Sequence, residues 1–133
     1  MTPVQTAIFA RLEDELLVPV YDRPPQPDDA GDDKSFPYIT IGDDTFTPWD
    51  DDLSQGYEAE LNIHTWTRYR GRKELKELQQ MVYDALHRYQ LTITGYATIN
   101  LSFEFADSVR DPDGLTHHGV SRFRLLIEDQ RNE

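Results

Sequence analysis

From Tyr57 onward the chain alternates apolar and polar positions. Tyr57, Ala59, Leu61, Ile63 and Thr65 fall on one side, and Glu58, Glu60, Asn62, His64 and Trp66 on the other. A period of two predicts a β-strand, and a contrast this clean predicts an antiparallel one with a single buried face. "YATINLSFEFADSVR" repeats the pattern through Ala97, Ile99, Leu101, Phe103 and Phe105. "FPYITIG" (Phe36–Gly42) is a β-branched and aromatic run closed by glycine, and "GVSRFRLLIED" is a last strand. Two other stretches have the helical period. Thr2-Pro3 supplies a hydroxyl cap and a proline at the first helical position, and Val4, Ala7, Ile8, Leu12 and Leu16 then recur every three or four residues. After Gly71, Leu75, Leu78, Val82, Ala85, Leu86 and Tyr89 make one stripe along "RKELKELQQMVYDALHRY".

The order is α-β-β-α-β-β, which predicts an α+β fold in two layers, an antiparallel or mixed sheet carrying two helices on one face. A short extended piece is expected around Val18–Tyr21. Prolines and aspartates then break regular structure. The reading is one domain over residues 1–133, with acidic loops at about 22–35 and 43–56, the second of them "DDTFTPWDDDLSQG".

Charge adds a polarity to this outline. The net charge is −12, and its two signs are segregated. Nine aspartates and one cation, Lys34, lie between Asp28 and Asp52, whereas Arg68, Arg70, Arg72, Lys73 and Lys76 share their short stretch with Glu74 alone. A chain this acidic repels phosphates through its overall field, so direct nucleic-acid binding is not expected, even though "WTRYRGRK" interleaves aromatics with cations. The two runs are solvated surface or partners of one another, within one molecule or between copies. With no cysteine there is no disulfide or thiolate zinc site. The start "MTPVQTAIFARLEDELL" lacks the features of a secretory leader, and no run approaches the roughly 20 apolar residues that span a bilayer. These features predict a soluble intracellular protein without membrane contact.

"RDPDGLTHHGV" concentrates the candidate chemistry. Asp111, Asp113, His117 and His118 are metal-ligand types, but neighbouring histidines on a strand point to opposite faces, and no glutamate closes a calcium loop. Asp-Pro-Asp-Gly between two alternating runs reads better as the turn of a hairpin. No nucleophile elbow or phosphate-binding glycine loop is present. His64 and His87 read as structural residues. Neither a catalytic residue nor a metal or cofactor is expected.

Three segments in this order, "VYDRPPQ" with "FPYITIGDDTFTPWD", "ELNIHTWTRYRGRKELKEL" and "DPDGLTHHGVSRFRLLIE", resemble the tail-completion (tail-terminator) proteins of long-tailed phages, prophages and gene transfer agents. The resemblance spans the first helix to about Glu128. It implies a structural, non-enzymatic virion protein at the head-proximal end of the tail, assembled in the host cytoplasm. Such proteins form a ring, usually six-fold, that caps the tail tube, stops its polymerisation and joins it to the head connector, with DNA passing through the centre without specific binding. The implied partners are further copies of the chain, the major tail tube protein and the connector or stopper protein. Another structural role at the head-tail junction, a neck or stopper protein, is the alternative, and a small binding module or unrecognised metal-dependent enzyme a third.

On that reading, Arg68, Arg70, Arg72 and Lys73 of one subunit are expected to meet part of the Asp43–Asp52 loop of the next, with Asp50, Asp51 and Asp52 as interface candidates. Phe46 and Trp49, with Tyr57 and Trp66, are candidate apolar anchors. Asp43, Asp44, Asp111, Asp113, His117 and His118 are expected in loops facing the lumen, the tube or the connector.

Overall fold

The computed structural model describes residues 2–21, 36–50, 55–68, 71–110, 112 and 114–130. Helix α1 (Thr2–Glu15) leads through β1 (Val20–Tyr21) to the paired strands β2 (Tyr38–Asp50) and β3 (Gln55–Arg68). Helix α2 (Gly71–Leu86) precedes a second pair, β4 (Tyr96–Arg110) and β5 (Thr116–Asp129). The strands form one sheet in the order β1-β2-β3-β5-β4. Among the described strands only β1 pairs in parallel, through Val20 with Ile39 and Tyr21 with Thr40, so the sheet is mixed, as one of the two expected forms.

Both helices lie on one face. Val4, Ile8 and Leu12 of α1 and Val82, Ala85 and Leu86 of α2 share a core with Ala59, Leu61 and Ile63 of β3 and Phe123, Leu125 and Ile127 of β5. Helix α2 runs across β3, β5 and β4, and α1 packs beside it against β1. The Arg11 guanidinium ties the helices together, with Nε donating to the Ala85 carbonyl at 2.9 Å. The predicted alternation of β3 holds along the strand: Ala59, Leu61, Ile63 and Thr65 are buried on the helix side, and their neighbours face the open side.

Three expectations fail for identifiable reasons. The stretch from Asp43 to Gly56 is not a loop throughout, because β2 continues to Asp50 and β3 begins at Gln55. A register shift between Ile41 and Asp44 absorbs the aspartate pair, and Thr45 to Asp50 then pair with β3 residue by residue. The alternation in β4 breaks twice, with shifts between Thr98 and Asn100 and between Phe103 and Phe105. Each bulge flips the phase, so Tyr96, Thr98 and Leu101 are buried while Ile99 and Phe105 are exposed. Tyr89 leaves the helical stripe because α2 ends at Leu86 and Arg88 takes a left-handed conformation (φ 62°). Its ring instead lies under the Arg11 guanidinium, 3.6 Å from the centroid. The acidic stretch at 22–35 lies outside the described residues, as do Arg70, Asp51, Asp52, Asp111 and Asp113.

Candidate assembly surfaces

The open face of the sheet carries an aromatic and imidazole platform where β2, β3 and β5 meet. Register sets it: Tyr38 lies opposite Trp66, which lies opposite His118, and Thr40 lies opposite His64. The Trp66 and His118 rings stack at 3.8 Å and 5°. Tyr38 stacks on Trp66 from the other side at 6.0 Å, and Phe36 and Tyr21 pack on Tyr38. Trp66 Nε1 donates to Thr40 Oγ1 at 3.1 Å. His64 Nδ1 and His118 Nε2 stand 2.7 Å apart, a hydrogen bond in which one ring donates and the other accepts, so at least one nitrogen is unprotonated. The His64 ring lies so close over Gly42 that a Cβ there would come within 2.2 Å of Nε2. A cluster joined by so many mutual contacts is a structural lock on the open face.

His117 and His118 therefore lie within β5, not in a loop. His118 faces the platform, and His117 pairs with Thr67 and Arg110 and points to the other side. Among the described residues no group of three or more metal-ligand side chains occurs.

Further along the same face Arg124 Nε meets Glu58 Oε1 at 2.7 Å, and Arg122 Nε donates to Asn62 Oδ1 at 3.2 Å while its guanidinium covers Phe105. The hydrogen bond and the charge of Glu58 hold the Arg124 proton even more tightly than usual. This half of the open face is a balanced lattice of polar groups.

The segregated charges lie elsewhere. Asp50 pairs with Gln55 at one end of the β2–β3 hairpin, and Arg68 and the start of α2 lie at the other. The 14 residues of β3 separate them, which is roughly 45 Å at about 3.3 Å per residue. Asp50 and the basic corner therefore do not meet within one molecule. Of the cations, Arg68 is engaged at home, with Nε donating to Thr116 Oγ1 at 3.0 Å and the guanidinium over Phe36. Arg72 and Lys73 are exposed in the first turn of α2. That is the wrong end of a helix for cations, whose repulsion by the dipole costs about 0.3–1 kcal/mol each. Their placement does not serve the helix. On the acidic side Asp44 is exposed on β2.

The expected aromatic anchors are mostly used internally. Phe46 packs against the core, Tyr57 meets Tyr96 edge-on at 6.3 Å, and Trp66 belongs to the platform. Trp49 lies flat over Gly56, and its buried Nε1 has no acceptor among the described residues. A Cβ at position 56 would sit 2.5 Å from that ring. Gly56→Ala is expected to lose about 1–3 kcal/mol by overpacking, read as a lower urea midpoint with a change in tryptophan emission.

Sequence reasoning placed His64 and Trp66 on one face but did not find the platform, because His118 joins them only through the β3–β5 register. It also missed a groove between α2 and the β4 edge, lined by Lys76, Gln79, Gln80, Tyr83, Phe103 and Ala106.

With this geometry in place, the comparisons with known proteins decide the family. The family described as "Tail completion protein gp17" matches residues 6–128. The chain belongs to this tail completion family. A relative in Bacillus phage SPP1, the tail completion protein gp17, is 29% identical over 99 residues, covering 74% of this chain and 73% of the relative. The solved structure of that SPP1 gp17 protein superposes with a TM-score of 0.56 at 25% identity, over 93% of this chain and 88% of that one. A chain within the virion of a native gene transfer agent particle superposes with a TM-score of 0.81 over 94% of both chains; at 22% identity that likeness shows the shared fold. No helix among the described residues is long and apolar enough to cross a membrane.

Proposed function

We propose that this tail completion protein acts in the virion as a closed ring of identical subunits, six in number. The ring caps the tail tube, ends its polymerisation and joins it to the head connector. Its work is association and shape, with no reaction at its side chains. The observation that carries the ring is the separation of charge. Asp44 and the Asp50 end of β2 stand on one part of the molecule, and Arg72 and Lys73 occupy a helix start that they destabilise. A heterologous, head-to-tail interface satisfies both signs, and such an interface closes into a ring when its rotation divides the circle. The names of the relatives, a phage tail completion protein and a gene transfer agent virion, agree with this role.

The net charge of −12 fits the passage of DNA. A wall that repels phosphates lets the duplex slide without being held, and Asp43, Asp111 and Asp113 are the candidates to face that passage, with Asp44 assigned to the subunit interface.

Arg72→Glu with Lys73→Glu tests the reading. Both positions are exposed, and replacing cations by anions at a helix start removes a dipole repulsion, so the fold should be at least as stable as before. Exposed pairs contribute about 0–1 kcal/mol each, and reversing two of them weakens every interface about tenfold, or about 1.4 kcal/mol. Native mass measurement should show rings giving way to monomers, and tails assembled with the variant should carry overlong tubes. Normal rings and normal tail lengths would remove the charge pairing.

A further inference from the structure

Among the described residues the sheet ends at β4 on one side and, beyond the short β1 pairing, at β2 on the other, and we propose that these edges meet between copies: the β2 edge of one subunit, Asp44 to Trp49, docks in the groove between α2 and the β4 edge of the next. The inference rests on the ring reading and assigns its interface to particular elements.

On the receiving side, the groove encloses about 320 Å³ and is open along the edge. Tyr83 and Phe103 form its floor, edge to face at 5.1 Å. His87 fixes that floor, stacking on Tyr83 at 4.7 Å and accepting the Phe103 N–H through Nδ1 at 3.0 Å. The floor is therefore a preformed apolar surface. Lys76 stands at its rim, with Arg72 and Lys73 one turn earlier on the same helix.

On the docking side, among the described residues β1 pairs with β2 only at Ile39 and Thr40, and Asp44, Thr45, Thr47 and Pro48 beyond are exposed. Asp44, Phe46 and Pro48 lie opposite Leu61, Ala59 and Tyr57, on the helix side of the sheet. When one sheet continues edge to edge into the next, helix side meets helix side. Asp44 and Pro48, both exposed, then come against the side of β4 that holds Phe103 and Ala106, with Asp44 on the same face as Lys76.

Charge and shape select a second copy as occupant. Asp44 of β2 is opposite in sign to Lys76, Arg72 and Lys73 of α2, and two opposite edges of one sheet generate a head-to-tail contact by construction. Neither edge supports a long uninterrupted ladder, since Pro48 lacks an N–H and β4 is bulged at two places. Side-chain docking sets the contact, and open-ended sheet growth is disfavoured.

The chain has no cysteine, so Pro48→Cys with Ala106→Cys in one polypeptide gives a clean cross-linking test. Three strand spacings separate β2 from β4, roughly 14 Å, beyond the ~7 Å limit for a disulfide within one chain. Mild oxidation of assembled protein, alone or on tail tubes, should give a ladder of covalent oligomers ending at the ring, absent from either single variant. Native mass measurement is run in parallel. Intact rings without the ladder overturn this interface and leave the ring reading standing. Absence of rings from the unsubstituted protein, alone and on tubes, overturns both. A charge swap gives a second readout in case the cysteines disturb folding. Lys76→Glu and Asp44→Lys should each lower the ring fraction about tenfold, and the two together should restore it. No restoration overturns the proposal.

Discussion

Phe123→Ala is expected to lower the unfolding free energy by about 3–5 kcal/mol, a large share of the roughly 5–15 kcal/mol available to a domain of this size. Phe123 is fully buried on β5, which pairs with β3 on one side and β4 on the other. Its backbone lies opposite Leu61 and Phe103, and its ring meets Phe103 edge-on at 5.6 Å. Truncation therefore leaves a cavity where three strands converge beneath α2, and paired strands on both sides limit how far the backbone can collapse into it. The loss should appear as a lower urea midpoint with little change in slope. Phe123→Leu, which keeps most of the volume, should lose much less. Equal losses in the two variants would mean that the site tolerates an empty volume, contrary to the packing described.

How much of this was readable beforehand varies by element. β3 was legible because its side-chain period runs unbroken from Tyr57 to Trp66. It sits between two long partners that leave one face buried and one open. β4 was legible as a strand but not in its phase. Ile99 and Phe105 look like core residues in an uninterrupted alternation, and nothing local marks the bulges that turn them outward. The Asp43–Asp50 half of β2 was misread because aspartate and proline disfavour strands locally. Thr45, Phe46, Thr47 and Trp49 carried the opposite signal, and pairing with β3 decides between them. The charge segregation was visible in the chain itself, but its meaning was not. That Asp50 and Arg72 stand at opposite ends of a long hairpin, and that Arg68 is already held by Thr116 and Phe36, follows only from register. The α2–β4 groove joins residues from 76 to 106, so no contiguous motif announces it.

Trp66→Ala should produce the second large loss, about 2–4 kcal/mol. The indole is sandwiched between Tyr38 and His118, so its removal exposes one face of each ring at once. Tyr38 is 3% exposed and Thr40 4% exposed. The Thr40 hydroxyl would also lose the donor that now reaches it, leaving a buried acceptor whose desolvation costs about 1–3 kcal/mol. Trp66→Phe separates the two contributions. It keeps a ring between Tyr38 and His118 and removes only the N–H, so its loss should be about 1 kcal/mol. Urea melts of the two variants check the difference, and the His64 and His118 ring protons, followed by NMR, should shift far more in the alanine variant than in the phenylalanine one. Because the platform binds β2, β3 and β5 together on the face that no described helix covers, its loss should also loosen the β2 edge on which the proposed interface depends. The alanine variant should then form fewer rings than Phe123→Ala at matched stability. Equal ring fractions at matched stability would show that the platform holds the fold without positioning the edge.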